Sequence, residues 1–167
     1  QVTQQCREED IERVRARYAD LAIPADLAIY LPDMPAKLAW AHLVIGRAGA
    51  STIAELTAAG RPAILVPLPS ATDDHQTANA REMARAGGAR TIAQDKFTPI
   101  ELAKQMQKLA LDPGALANAA ARARATGRPD AARAMADLVE RVGQHPDCAP
   151  EYVRGGAIRS MPDGVPA

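Results

Sequence analysis

The segment at residues 42–55 constrains the fold of this chain more than any other. An apolar run at residues 43–45 leads into the small-residue sequence of residues 46–52, and a helical pattern begins within that sequence. We therefore predict a strand, a tight turn and a helix in direct succession. In open parallel sheets such a turn lies at the carboxyl edge, where ligands bind and the free amides of a helix N-terminus attract anions.

The rest of the chain alternates between the same two kinds of element. Strands are predicted at residues 1–5, 27–31, 43–45, 63–66 and 89–93. Helices are predicted at residues 8–19, 38–41, 52–59, 74–86, 98–111, 113–125 and 130–142. This alternation predicts the α/β class, with a doubly wound parallel sheet of about five strands and right-handed crossovers.

Charge and cysteine content exclude some classes of partner. Lysine plus arginine and aspartate plus glutamate number 20 each, a balance that argues against nucleic acid. Cys6 and Cys148 have the spacing of neither a zinc site nor a disulfide framework, which favours a reducing cytoplasm. No apolar stretch approaches bilayer length and no leader opens the chain, so we expect any membrane contact to be peripheral.

The sequence predicts one domain at residues 1–142 and a loose tail, rich in proline and glycine, at residues 143–167. The chain starts at Gln1 without methionine, and its first five residues already have the pattern of a strand. We therefore expect the domain to be incomplete at its N-terminus.

The turn and the helix after it contain the first candidate ligand contacts. The amides of Ala50, Ser51 and Thr52 suit a pyrophosphate, although small residues there could also serve close packing alone. Glu55 suits the two hydroxyls of a ribose, and a nucleotide diphosphate would satisfy both features. The alternative for Glu55 is a capping box with Thr52, in which its carboxylate reaches back to a free amide.

The polar loop at residues 73–79 contains the second group of candidates. Its side chains suit the hydroxyls of a sugar, and the alternative is a solvated loop in which Asp73 or Asp74 caps the next helix. His75 lacks neighbours at metal-ligand spacing, so no metal is predicted. No arrangement for nucleophilic catalysis is evident, and no catalytic residue is predicted.

Five motifs together resemble the MurG family, the bacterial N-acetylglucosaminyltransferases that make lipid II for peptidoglycan. The motifs lie at residues 30–34, 39–55, 58–62, 66–67 and 73–80, and the likeness extends over residues 1–142. The resemblance implies the two-domain GT-B fold, of which this chain would be most of the Rossmann-like C-terminal half. That half binds the donor, UDP-N-acetylglucosamine.

The same resemblance implies roles for individual residues. The backbone at Leu31 would hold uracil, and Met34 would pack nearby. Ala50, Ser51 and Thr52 would face the diphosphate, Glu55 would bind the ribose, and Gln76 with His75 would bind the sugar hydroxyls. Arg47 and Asn79 also match family positions and are further candidate contacts, with a structural role as the alternative for both. Asp74 is another candidate contact. The family usually has two glutamines in this loop, and His75 stands where the first would be.

The implied reaction transfers N-acetylglucosamine to lipid I with inversion, without a metal and without a cofactor. The family's glycine-rich loop and its acceptor domain, with the membrane-facing patch and the candidate general base, would precede Gln1. We therefore expect this chain alone to be inactive, and the whole enzyme to lie on the cytoplasmic face of the bacterial membrane. The alternatives are another GT-B enzyme, such as a diacylglycerol glycosyltransferase or a UDP-sugar epimerase, and a non-catalytic nucleotide-binding remnant.

Overall fold

The computed structural model describes residues 1–69 and 74–144. The strands are β1 (Val2–Gln5), β2 (Ala25–Ala28), β3 (Val44–Gly46), β4 (Ala63–Leu65) and β5 (Ala89–Thr91). The helices are α1 (Ile11–Asp20), α2 (Met34–Trp40), α3 (Ala50–Ala59), α4 (His75–Arg85), α5 (Pro99–Ala110), α6 (Pro113–Thr126) and α7 (Ala131–Gln144). The predicted α/β class is confirmed, and each predicted element is present within a few residues of its expected bounds.

Local capping explains where α5 and α6 begin. The Thr98 hydroxyl accepts a hydrogen bond from the Glu101 amide at 3.2 Å, and Pro99 occupies the first turn of α5. The Asp112 carboxylate accepts from the Gly114 amide at 2.8 Å and begins α6 in the same way. Side chains that satisfy these free amides fix where a helix begins.

The strands are all parallel to their neighbours, but they form two hydrogen-bonded sheets and not one. One sheet pairs β1 with β2, and the other has the order β3-β4-β5. The prediction of a single sheet of about five strands was therefore right about the number and direction of the strands and wrong about their grouping. Alternation along a sequence identifies strands but contains no information about which of them exchange hydrogen bonds.

The core lies on both faces of β4. Ala63 and Leu65 belong to one buried cluster, with Leu56 of α3 and Met83 of α4. Ile64 and Val66 belong to a second cluster, with residues of α5 and α6, which are Leu102, Leu109, Leu116 and Ala119. Successive side chains of a strand point to opposite faces, so the three-stranded sheet is covered by helices on both sides, as a doubly wound fold requires.

The chain divides into two compact units, Gln1–Gly127 and a second that begins at Arg128. Helix α7 of the second unit is amphipathic, and its apolar side chains are exposed, namely Met135, Leu138, Val139 and Val142. The boundary at residue 142 stays a prediction, and the tail from residue 145 onward, with His145 and Cys148, lies outside the described residues. In the part of the chain that the structure describes, no helix has the length and apolarity to cross a bilayer.

Gly88, just before β5, lies close to the backbone of α6. A Cβ atom built on Gly88 would lie 2.8 Å from the Cα atom of Ala123 and 2.9 Å from its backbone nitrogen, in α6. Backbone atoms cannot move aside as a flexible side chain can. We therefore expect Gly88→Ala to push α6 away from β5 and to lower the free energy of unfolding by about 1–3 kcal/mol.

Thermal or urea unfolding followed by circular dichroism measures this difference. Gly46→Ala is the matched control, because a Cβ on Gly46 meets no atom within 4 Å. The control should change stability by less than about 0.5 kcal/mol. Equal unfolding midpoints for the two variants would contradict the packing described for Gly88.

Candidate functional site

The carboxyl ends of three strands meet at one edge of the β3-β4-β5 sheet. The guanidinium of Arg47, just after β3, donates hydrogen bonds to the carbonyl oxygen of Val66 at 3.1 Å and to that of Pro67 at 3.5 Å, after β4. It also donates to the side-chain oxygen of Gln94, after β5. Arg47 therefore joins the three loops that leave this edge, and these contacts give it a structural role.

The turn between β3 and α3 is held by two side chains of α4. Ala48 is completely buried, and its amide donates to Oε1 of Gln76 at 3.3 Å, while its carbonyl oxygen accepts from Nδ2 of Asn79 at 3.0 Å. The same Oε1 of Gln76 accepts a hydrogen bond from the Leu68 amide at 3.1 Å. Gln76 and Asn79 therefore fix the turn against the loop after β4.

These contacts limit what Gln76 can offer a ligand. Its side-chain oxygen already accepts two backbone hydrogen bonds, which identifies the other end of the amide as the Nε2 donor. The predicted contact with a sugar hydroxyl thus requires the hydroxyl oxygen to accept from Nε2. Sequence reasoning proposed a ligand contact for this residue and missed its structural role.

The start of α3 presents free amides on an accessible surface. Gly49 is the N-cap residue, with extended backbone angles and no side-chain capping bond, and the first intrahelical bond runs from the Ile53 amide to the Gly49 carbonyl at 3.0 Å. The amides of Ala50, Ser51 and Thr52 precede that bond and have no acceptor within the helix. Ala50 and Ser51 are exposed and Thr52 is half-buried, so an anion has access to this turn.

Glu55 lies one turn further along α3 and is exposed. It shares a helix face with Ser51, four residues earlier, whereas Leu56 and Thr57 form the buried side. The capping-box interpretation of Glu55 is wrong, because the helix begins at Ala50 and Thr52 is its third residue and not its cap. The Glu55 carboxylate has no hydrogen bond or ion pair to any described residue.

The segment at residues 31–34 is connected to α3 through α2. Leu31 lies three residues beyond the end of β2 and is half-buried, and Met34 begins α2 with 36% of its surface exposed. Asp33 caps this helix by accepting a hydrogen bond from the Ala36 amide at 3.2 Å. Leu38 of α2 is buried in the same cluster as Ala48 and Leu56. The two residues predicted to hold a base are thus anchored to the helix that carries Ser51 and Glu55.

The polar loop is described only from Asp74 onward, so Asp73 lies outside the described residues. Asp74 is the N-cap residue of α4 but makes no side-chain capping bond, and it has a left-handed backbone conformation with φ of 51°. The interpretation of Asp74 as a side-chain cap is therefore wrong. His75 is exposed in the first turn of α4.

Residues 1–69 and 74–144 include no group of three or more histidine, cysteine, aspartate or glutamate side chains that could hold a metal ion. Two surface cavities border α4, and none of the candidate residues lines either of them. The candidate site thus lies at the carboxyl edge of the sheet and outside both cavities. The sequence analysis did not predict two residues that help to hold the site, Leu68 and Gln94. Gln94 could not be found from the sequence because it lies 47 positions from its partner Arg47.

Comparison with protein families gives one match that extends over most of the chain. The family model described as the glycosyltransferase family 28 C-terminal domain matches residues 1–140. That range includes every candidate site residue.

Two curated relatives have the same name, UDP-N-acetylglucosamine–N-acetylmuramyl-(pentapeptide) pyrophosphoryl-undecaprenol N-acetylglucosamine transferase. The protein from Zymomonas mobilis is 67% identical over 143 residues, which are 86% of this chain and 37% of the relative. The protein from Erythrobacter litoralis is 59% identical over 165 residues, which are 99% of this chain and 42% of the relative. The chain thus spans about two fifths of the length of these relatives.

Solved structures show the same fold. The crystal structure of Acinetobacter baumannii MurG superposes with a TM-score of 0.76 and 35% identity over 83% of this chain and 42% of that one. The glycotransferase of kitacinnamycin superposes with a TM-score of 0.58 at 23% identity, over 84% of this chain and 42% of that one. The second likeness concerns the fold alone.

The hydrogen bond from Asn79 of α4 to the turn between β3 and α3 can be tested with the variant Asn79→Asp. An ionised carboxylate cannot donate to the Ala48 carbonyl and repels it, so we expect a loss of about 1–3 kcal/mol in the free energy of unfolding at neutral pH. A protonated carboxyl can donate, so the aspartate at this position should have a pKa above its unfolded value. Its hydrogen bond is then present at low pH and lost as the pH rises through that pKa.

Urea unfolding of Asn79→Asp and the parent chain across a pH series measures the difference. Gln107→Glu, which adds one carboxylate at an exposed position of α5, is the control and should change stability by less than about 0.5 kcal/mol throughout. A deficit of Asn79→Asp that does not shrink in acid would argue against the hydrogen bond to Ala48.

Proposed function

The chain belongs to the glycosyltransferase family 28 C-terminal domain family, and on this premise we propose that it binds UDP-N-acetylglucosamine for transfer of the sugar to lipid I. The observation that carries this proposal is the juxtaposition, on α3, of the free amides at Ala50, Ser51 and Thr52 with the carboxylate of Glu55, which has no partner among the described residues. The names of relatives that are 67% and 59% identical support the choice of donor and acceptor.

The diphosphate is proposed to bind at the first turn of α3. Three amides that point in one direction, together with the positive end of the helix dipole, favour an anionic group there without needing a charged side chain. The hydroxyl groups of Ser51 and Thr52 add further donors at the same place. Ala50, with only a methyl group, leaves the phosphate oxygens close access to the backbone.

The ribose and the base are proposed to extend from that turn along α3 and towards α2. Glu55 accepts two hydrogen bonds from the ribose hydroxyls, a role that needs an ionised carboxylate without a competing partner. The backbone at Leu31 holds uracil, and Met34 packs beside it. The anchoring of α2 through Leu38 keeps this segment in a fixed position relative to α3.

The sugar is proposed to lie against the first turns of α4. Nε2 of Gln76 donates to one of its hydroxyls, and His75 lies beside it in the first turn. Asp74 is the N-cap residue of α4 and is proposed as a neighbour of the sugar, whereas Asn79 acts on the sugar only through the turn that it holds.

The chemical contribution of this chain follows from the same geometry. When the bond between the sugar and the diphosphate breaks, negative charge grows on the leaving UDP. Amides that are already oriented stabilise that charge without reorganisation, which lowers the barrier to departure. We assign donor binding and leaving-group stabilisation to this chain, and proton abstraction from the acceptor to none of its residues.

The remaining parts of the proposal concern the whole enzyme. Lipid I is the acceptor, the reaction inverts the anomeric carbon without a metal ion, and the enzyme acts at the cytoplasmic face of the bacterial membrane. The names of the relatives specify both the donor sugar and a pyrophosphoryl-undecaprenol acceptor. A membrane-bound acceptor requires an enzyme that works at the membrane surface.

Calorimetric titration of the 167-residue chain with UDP and then with UDP-N-acetylglucosamine tests the proposal. Both should bind at one site, and each should displace the other. Stronger competition by a different UDP-sugar would favour another GT-B enzyme, such as a diacylglycerol glycosyltransferase or an epimerase. A chain that is folded by circular dichroism and binds no uridine nucleotide would refute the proposal.

The role of Glu55 gives a sharper prediction. We expect Glu55→Gln to weaken UDP binding about tenfold or more, because hydrogen bonds to a charged group contribute about 1.5–3 kcal/mol. The same change should weaken binding of 2′-deoxy-UDP less, because only the 3′-hydroxyl of that nucleotide remains to donate to Glu55. Calorimetry with both nucleotides measures the selectivity for ribose.

Glu82→Gln is the matched control, since Glu82 is another exposed glutamate, on α4, without a side-chain partner among the described residues. It should bind both nucleotides as the parent does. If Glu55→Gln weakens UDP and 2′-deoxy-UDP equally, Glu55 acts through overall charge and does not bind the ribose.

A further inference from the structure

A cavity of about 310 Å³ lies between α4, β5, α5 and α6, away from the candidate donor site. Its lining includes the last part of α4 and the start of β5, whereas the donor site lies beyond the ends of the strands. Three cationic side chains line it, Arg90 of β5, Lys108 of α5 and Arg122 of α6, together with the neutral amide of Asn118. No aspartate or glutamate is among its lining residues.

The three cations lack acidic partners among residues 1–69 and 74–144. In the described residues, no hydrogen bond or ion pair is found for the side chain of Arg90, Lys108 or Arg122, although arginine and lysine elsewhere pair with carboxylates, as Arg13 does with Asp10 and Lys37 with Asp26. The chain as a whole has as many acidic as basic residues. The cavity is therefore a local excess of positive charge in a protein that is neutral overall.

Helix dipoles explain only part of this excess. Lys108 lies in the last turn of α5, where a cation is favourable. Arg90 lies on a strand and gains nothing from a helix end. The side chain of Arg122 passes over Gly87, which has φ of +83°. A Cβ atom built on Gly87 would lie only 2.7 Å from Cδ of Arg122. The absence of a side chain at Gly87 therefore makes room for Arg122 at the cavity.

The positive surface continues beyond the first cavity. A second cavity, of about 440 Å³, shares Ala84 with it and is lined by Arg81, Arg85 and two threonines, again without an acidic residue. Neither arginine has an ion pair among the described residues. Like charges that line one surface repel one another, and a bound anion would offset that repulsion.

We propose that the cavity bounded by Arg90, Lys108 and Arg122 binds a phosphate-bearing anion. Arginine binds phosphate oxygens through two parallel N–H donors, and lysine adds a mobile charge. The Asn118 amide can donate to a further oxygen. The volume exceeds that of a bare phosphate and lies at the lower end of the range for small-ligand sites. The phosphate can therefore be part of a larger group, either a soluble phosphorylated molecule or an anionic lipid headgroup.

Titration of the isotope-labelled 167-residue chain with inorganic phosphate, followed by amide chemical shifts, tests this site. The amide shifts of Ala50, Ser51 and Thr52 report binding at α3 in the same titration, which separates it from binding at the cavity. We expect saturable shifts at Gly87, Arg90, Lys108 and Asn118, with a dissociation constant in the millimolar range or tighter. In the double variant R90Q/R122Q the affinity should fall about tenfold or more, because charge-assisted hydrogen bonds are lost.

The double variant R17Q/R133Q is the control, because it removes the same charge from exposed arginines of α1 and α7. It should bind phosphate at the cavity as the parent does. Phosphate shifts that do not saturate, or that weaken equally in both double variants, would overturn the proposal. Failure of UDP to bind would leave this test intact, since the two sites share no residue.

Sedimentation with vesicles distinguishes the source of the phosphate. Binding to phosphatidylglycerol vesicles but not to phosphatidylcholine vesicles, lost in R90Q/R122Q and kept in R17Q/R133Q, assigns the site to a lipid headgroup. Saturable phosphate binding without vesicle binding assigns it to a soluble anion. A protein that binds neither phosphate nor anionic vesicles has no such site.

Discussion

The geometry of the candidate site depends on the backbone of one buried residue, Ala48. Its amide and its carbonyl are both hydrogen-bonded by side chains from the first turns of α4, Gln76 and Asn79. A buried backbone group left without a partner costs about 1–3 kcal/mol, so the turn cannot shift without a substantial loss. The free amides that follow at the start of α3 are therefore oriented before a ligand arrives. A site that stabilises developing charge requires this preorganisation.

The rigidity of that edge originates in β4. Its side chains alternate between two buried clusters, so helices press on it from both faces. The loop that leaves β4 contributes Val66 and Pro67 as acceptors for Arg47 and Leu68 as a donor to Gln76. Because β4 is packed on both faces, its position is fixed, and a few polar side chains are enough to hold the short loops against it. Three residues of strand suffice for this purpose.

Local structure was predictable because its causes are local. The hydroxyl of Thr98 with Pro99, and the apolar runs at the strands, act over a few residues and are visible in the sequence. Strand pairing and the ties at the site were not predictable, because they join distant positions. Arg47 and Gln94 are 47 residues apart, and nothing in either neighbourhood marks the other. Gln76 illustrates the same limit, since a polar loop residue suggests a ligand contact whether its oxygen faces solvent or two backbone amides.

The two regions proposed to bind anions differ in how they would hold them. The amides of α3 are parts of a helix and have fixed directions, whereas Arg90, Lys108 and Arg122 are long side chains with many rotamers. Fixed dipoles suit a group whose charge changes during a reaction, because they need no rearrangement when the charge grows. Flexible cations lose conformational entropy when they close on a ligand, so they are less preorganised than the amides of a helix. This physical difference assigns the chemistry to the turn after β3 and simple recognition to the cavity beside β5.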